Sequence, residues 1–283
     1  MRDTEIPALL AAQILQDAFA GRAPEELIQP LITAGWDSDA AVGAVEQLVR
    51  TRLEQHAREN ALPLPKRVPG PAGLNATSLI EAGDRRVQVI ANLLYPRVIL
   101  FGGLLSEAEC QALILAATPR LKRSTVVHSV TGADQTHDAR TSEGASFTRG
   151  ETPLCRTLDA RISALLDWPI EFGEGLQVLR YAVGAEYKPH YDYFDPADAG
   201  NTAQLARGGQ RVATLVMYLN TPESGGATTF PDARFEAGAI QGNAVFFSYD
   251  RPHPMTGTLH GGAPVHAGEK WIATKWLRES EHH

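Results

Sequence analysis

Apolar residues near the start of the chain recur at three- and four-residue steps, the period of a helix face. Ile6, Leu9, Leu10, Ile14, Leu15 and Phe19 would share one such face. Pro24 suits a first helical position and Gly35 a helix end. Ser38 can cap a third helix carrying Val42, Val45, Leu48, Val49 and Leu53 on one side. The pattern then breaks at Pro63, Pro65, Pro69, Gly70, Pro71 and Gly73, the composition of an extended linker. Beyond it, Leu79-Ile80 and Val87 to Ile90 flank Gly83-Asp84 as the arms of a hairpin, and Arg97 to Phe101 reads as a strand. Ser106 and Glu109 have capping-box spacing and open a helix through Ala117, which Pro119 stops. Thr125 to Val127 is extended. The polar run from His128 to Gly144 has the length of a lid or binding loop, with His128 and His137 as solvated bystanders. Thr152-Pro153 opens a further helix ending near Leu166.

From Leu176 onward the chain turns β. Gln177–Tyr181, the stretch around His190, Val212–Asn220, Ala227–Phe230, Ala244–Ser248 and Lys270–Arg278 are short strands separated by Gly, Pro, Asn and Asp. The pattern predicts an α+β chain, mainly β with helices. Its body is an antiparallel double-sheet jelly roll with a ligand-holding mouth and supporting helices over one sheet. The expected boundaries are a small all-α region at 1–60, a Pro/Gly-rich linker at 61–76 and the main domain at 77–283. For 1–60, an extension packing on the main domain is a simpler expectation than a partner-binding module. Asp195, Asp198 and Gly200-Asn201 read as a solvated loop.

Composition narrows the class. A hydrophobic fraction of 43% and a charged fraction of 21% are those of a soluble globular protein. The net charge of -7 speaks against a nucleic-acid surface, which needs clustered Lys and Arg. The N-terminal residues Met1 to Pro7 lack the basic start and apolar core of a signal peptide, and no apolar run would span a bilayer. A cytoplasmic setting without membrane association is expected. Cys110 and Cys155 are the only cysteines, far apart and in no metal-type spacing, so no disulfide framework is indicated.

Candidate chemistry lies in Tyr181 to Phe194. His190 and Asp192 stand two apart, so an extended backbone points imidazole and carboxylate to one face. One nitrogen and one oxygen ligand there make two-thirds of a 2-His-1-carboxylate facial triad. His260 can supply the second imidazole from a distant strand; His253 and His266 are rivals. His253 has a turn-like setting in Arg-Pro-His-Pro, and His266 leaves Lys270 only four residues away. After His260, a reversal marked by Gly261, Gly262, Pro264 and Gly268 brings Lys270 onto a neighbouring strand, where its cation could meet the far carboxylate of a metal-bound diacid.

These two segments, with Gln210 to Asn220 and Gly225 to Pro231 between them, resemble the catalytic domain of prolyl 4-hydroxylases, which are 2-oxoglutarate/Fe(II) dioxygenases. The likeness runs from about Ile99 to Glu279. It implies His190, Asp192 and His260 as metal ligands and catalytic centre, and Fe(II), 2-oxoglutarate and O2 as cofactor and co-substrates, with ascorbate as reductant. It implies Lys270, with Tyr181 and Thr228, as the grip on the distal carboxylate of 2-oxoglutarate. It implies Arg211, Tyr187, Trp276 and Arg140 along the substrate groove. The implied reaction couples decarboxylation of 2-oxoglutarate to succinate and CO2 with hydroxylation of a prolyl residue in a peptide or protein. A free amino acid or small metabolite as substrate, and a non-catalytic sensor of 2-oxoglutarate or oxygen, are the other readings.

Overall fold

The helical period at the start of the chain becomes three helices: α1 (Ala8–Phe19), α2 (Pro24–Thr33) and α3 (Ser38–Glu59). Ile14, Leu31, Ala41 and Val45 form their small core, flanked by Leu10, Leu27, Trp36 and Leu48. The cap of α3 is Asp37, one residue before the serine expected. Its carboxylate accepts from the backbone N–H groups of Asp39 and Ala40, and as an anion it also suits the positive helix end.

This computed structural model describes residues 6–71, 78–123, 126–127, 134–135 and 141–283. It divides into two compact units, Met1–Pro65 and Lys66–His283. Part of the Pro/Gly-rich stretch therefore belongs to the second unit. Lys66 donates its backbone N–H to Asp250 and Gly70 donates to Leu166, and Pro69 and Pro71 are buried.

The second unit is built on a nine-stranded sheet. Its spatial order is Leu79–Ala82, Arg85–Leu93, Val98–Gly102, Ala244–Ser248, Arg211–Tyr218, Lys270–Arg278, Leu176–Tyr181, Glu143–Phe147 and Lys122–Arg123, with antiparallel neighbours throughout. A four-stranded sheet runs Phe235–Ala237, Thr228–Phe230, His260–Gly262, Tyr187–His190. Two antiparallel sheets are consistent with the jelly roll expected.

The central strands are buried on both faces, so Arg211–Tyr218 is a nearly continuous apolar run, whereas Lys270–Arg278 also buries Lys270, Thr274, Lys275 and Arg278. One face packs Leu215, Met217, Ala273 and Val178 against α4 (Glu107–Ala117) and α5 (Pro153–Leu166). The other packs Val216, Tyr218, Leu179, Tyr181 and Ile272 with Phe230 and Val265. The capping box at Ser106 and Glu109 forms as read. Arg161 of α5, almost wholly buried, then ties Asp84 of the hairpin turn to Glu109 at 2.7 Å each. Against the cost of its burial, Arg161 holds the Glu109 carboxyl down to about 2. Among the described residues no helix is long and apolar enough to cross a membrane.

Candidate metal and dicarboxylate site

Strand register assembles the first two ligands. His260 sits directly opposite His190 in the four-stranded sheet, with ring centroids 4.4 Å apart. So close an approach of backbones requires Gly261, where a Cβ would lie 2.8 Å from the carbonyl oxygen of Tyr187. Tyr187 stacks on His190 at 3.7 Å, and Phe247 flanks His260 at 4.4 Å, so both rings are packed in place.

Behind each imidazole stands a backbone carbonyl. Nδ1 of His190 lies 2.9 Å from the oxygen of Lys188, and Nδ1 of His260 lies 3.0 Å from that of Thr258. A carbonyl only accepts, so each Nδ1 carries the ring proton and each Nε2 offers a lone pair. Both lone pairs face Asp192: Nε2 of His190 is 3.5 Å from Oδ1 and Nε2 of His260 is 3.4 Å from Oδ2. The ligand atoms of the three residues all lie within 4.8 Å of one another. Burial and the neighbouring His260 push the His190 pKa down, which favours the neutral ring a metal needs. Burial opposes ionisation of Asp192, yet a positive charge between it and the two rings favours the carboxylate: when the imidazoles themselves carry that charge, they hold its carboxyl well below the usual range. Two neutral imidazole nitrogens and a carboxylate oxygen converging on one point are acceptors in want of a cation. That donor set fits Fe(II) with positions left open.

Asp192 is not on the strand. The extended segment ends at His190, and the carboxylate arrives from the bend that follows. Neither rival joins the cluster. His253 accepts from the N–H of Met255 at 3.1 Å in capping a short turn, and His266 is exposed.

Lys270 pairs in register with Tyr181 and is 3% exposed. Its Nζ lies 5.4 Å and 5.9 Å from the ring centroids of Tyr181 and Tyr218. Burial alone pushes its pKa down to about 8, and no acidic side chain among the described residues offsets the cost. Lys270, Tyr181 and Thr228 line the same inner pocket as His190, Asp192 and His260. Tyr218, which sequence reading passed over, donates its hydroxyl to Thr228 Oγ1 at 2.8 Å and so orients it. Its signal was the alternation that puts Thr214, Val216 and Tyr218 on one face.

A groove of about 680 Å³ opens beside the triad, lined by Tyr187, Tyr191, Tyr193 and Trp276 among others. Tyr187 and Trp276 border both pocket and groove. Trp276 Nε1 is buried without an acceptor among the described residues. Arg211 also lines the groove, but its fork is bidentate to Glu174 at 2.7 and 2.9 Å, and its guanidinium lies 4.0 Å from the Trp276 ring centroid. Glu174 also accepts from Arg278 at 2.7 Å, and the two guanidiniums overcome burial to hold its carboxyl down to about 2. Arg211 thus backs the Trp276 wall. Arg140 lies outside the described residues. Its neighbour Thr141 exchanges hydrogen bonds with Glu186, just ahead of the His190 strand. The segment expected as a solvated loop is ordered: Ala199–Asn201 is a 3-10 turn leading into α6 (Thr202–Ala206), with Gly200 and Asn201 buried. Asn201 is drawn in by donating Nδ2 to the carbonyl of Asp195 at 3.1 Å.

The sequence profile of the 2OG-Fe(II) oxygenase superfamily matches residues 176–278. The chain is 38% identical over 223 residues to probable prolyl 4-hydroxylase 3 of Arabidopsis thaliana, covering 71% of this chain and 75% of that protein. It is 39% identical over 220 residues to prolyl 4-hydroxylase 5 of the same plant, covering 70% and 73%. Among solved structures, a viral collagen prolyl hydroxylase from Paramecium Bursaria Chlorella virus-1, in its 2OG complex, aligns with a TM-score of 0.50 and 30% identity, over 64% of this chain and 95% of that one.

Proposed function

Because the chain belongs to the prolyl 4-hydroxylases of the 2OG-Fe(II) oxygenase superfamily, we propose that it hydroxylates a prolyl residue of a peptide or protein. It is a 2-oxoglutarate-dependent dioxygenase, and His190, Asp192 and His260 would hold its Fe(II). Bound Fe(II) and 2-oxoglutarate supply oxidative decarboxylation to succinate and CO2, with O2 as the source of the new hydroxyl. The chain's own residues bind, orient and exclude water. Lys270 would take the distal carboxylate of 2-oxoglutarate, with the Tyr181 and Thr228 hydroxyls beside it. The observation that most supports this is the buried, uncompensated ammonium of Lys270 in the pocket of the triad. An unpaired charge there costs several kcal/mol, and a bound anion removes that cost.

Tyr187 and Trp276 stand at the junction of pocket and groove, where aromatic walls suit a proline ring. The unpartnered Nε1 of Trp276 would donate to a substrate carbonyl. Arg211 would hold that wall, and Arg140 completes the proposed groove contacts. A groove of about 680 Å³ favours an extended chain over a free amino acid. Ascorbate as reductant, a cytoplasmic site of action, and residues 1–60 as a separate helical region ahead of a catalytic domain that takes in the second half of the Pro/Gly-rich stretch complete the proposal. The test is succinate release by purified protein with Fe(II), ascorbate and 2-oxoglutarate. Proline-containing peptides should stimulate it and gain one oxygen by mass spectrometry. Stimulation by free amino acids but not by peptides would overturn the prolyl reading.

Binding of 2-oxoglutarate should depend on pH through Lys270. Below its depressed pKa of about 8 the ammonium is already present. Above it, binding must take up a proton, so the apparent Kd should rise by up to about tenfold per pH unit. Calorimetry in buffers of different ionisation enthalpy should register that uptake above the pKa and little of it well below.

A further inference from the structure

Register fixes His190 and His260, but Asp192 lies past the end of its strand and needs another anchor. We propose that Thr214 and Tyr249 form a hydrogen-bond relay that sets the orientation of the Asp192 carboxylate for the metal. Neither residue belongs to the ligand set or to the pair of hydroxyls proposed for 2-oxoglutarate. Thr214 Oγ1 lies 2.7 Å from Oδ2 of Asp192, and the Tyr249 hydroxyl lies 3.0 Å from Thr214 Oγ1. Thr214 is fully buried and Tyr249 is 2% exposed.

Proton accounting gives the relay a direction. An ionised carboxylate only accepts, so the single hydroxyl proton of Thr214 goes to Asp192. Thr214 Oγ1 is then an acceptor toward Tyr249, and the phenol must donate. The chain runs Tyr249 O–H to Thr214 Oγ1, and Thr214 O–H to Asp192 Oδ2. Each donor polarises the next in a dry setting.

The backbone supports this order. Thr214 projects into the pocket on the same face as Val216, from the centre of the nine-stranded sheet. Tyr249 follows the strand Ala244–Ser248, and its backbone N–H donates to Val212 at 2.9 Å. Both hydroxyls are thus carried by backbone that the central sheet holds through hydrogen bonds. A carboxylate deprived of this donor can rotate away from the orientation in which it faces both Nε2 atoms and would hold the metal. Thr214 and Tyr249 are therefore positioning residues, acting through Asp192.

This inference rests on Asp192 being a metal ligand, and the test separates the two claims. The metal-free 283-residue chain is titrated with Co(II), following heat and visible absorption, for wild type, Asp192→Ala, Thr214→Val, Thr214→Ser and Tyr249→Phe. Thermal melts of each metal-free variant confirm folding. Thr214→Val should bind Co(II) about 10–100-fold more weakly, the usual cost of losing a ligand's outer partner, with an altered spectrum. Thr214→Ser keeps the hydroxyl and should restore both. Tyr249→Phe should weaken binding a few-fold in the same direction. If Asp192→Ala binds as tightly as wild type, the metal-site reading itself fails. If Asp192→Ala loses the metal while Thr214→Val binds as wild type, or Thr214→Ser fails to rescue, the relay is overturned. Tyr249→Phe indistinguishable from wild type would also overturn it, since no relay then extends beyond Thr214.

Discussion

Alanine at His190 or Asp192 should abolish succinate formation from 2-oxoglutarate, with the fold retained. Disturbing only the outer partner of a metal ligand costs about 10–100-fold. Removing a ligand outright should cost at least about a hundredfold, because two remaining groups cannot define one face of the metal. The reason is visible in the geometry. His190 and His260 each turn an unprotonated Nε2 toward a separate oxygen of Asp192. Without the carboxylate, two neutral rings are left facing each other 4.4 Å apart with no charge to hold a dication. Succinate release in the presence of saturating Fe(II), beside a thermal melt, checks this. A variant that melts like wild type and still turns over at more than a tenth of its rate would remove that residue from the ligand set.

Lys270→Met should produce the second large effect, on KM rather than on the fold. A buried charge that has lost its partner typically costs about 2–5 kcal/mol in binding. The KM for 2-oxoglutarate should therefore rise by about thirtyfold or more, with a smaller change in kcat at saturation. The effect on metal-free stability has the opposite sign. In the folded state the Lys270 pKa is depressed to about 8 from 10.5. The unfolded chain then binds more protons between those values, and stability rises with pH through that window. At neutral pH the folded protein carries the whole cost of the buried ammonium, so an apolar side chain of similar length should raise Tm there. An unchanged KM, or a lowered Tm at pH 7, would contradict the placing of this cation.

The sequence exposed those features that depend on local spacing. Capping at Ser106 and Glu109 needs only three residues of separation, and the structure forms it. His190 and Asp192 were visible as a pair, though for a partly different reason than strand alternation: the strand stops at His190 and a bend delivers Asp192. Long-range pairings were hidden. Glu174 is held by Arg211 and Arg278, more than thirty and a hundred residues away, and no local pattern announces such a partnership. From the sequence alone Arg211 is expected to face a substrate, whereas in the structure its fork is occupied by Glu174. Thr214 was hidden differently. In a strand buried on both faces a threonine among valines and leucines looks like packing, and only the register shows its hydroxyl against Asp192. The polar stretch after Asp195 looked solvated because hydrophilic residues dominate it, yet Asn201 satisfies a backbone carbonyl and is drawn inside.

The most direct test of the whole site is calorimetric titration of two ligands into anaerobic, Fe(II)-loaded protein. One ligand is 2-oxoglutarate; the other is 2-oxopentanoate, which keeps the chelating 2-oxo acid but has a methyl group in place of the distal carboxylate. If the triad and Lys270 act together, 2-oxoglutarate binds at one site per chain only when metal is present, and 2-oxopentanoate binds at least about thirtyfold more weakly. Equal affinity for the two ligands, or tight binding of 2-oxoglutarate without metal, would contradict it.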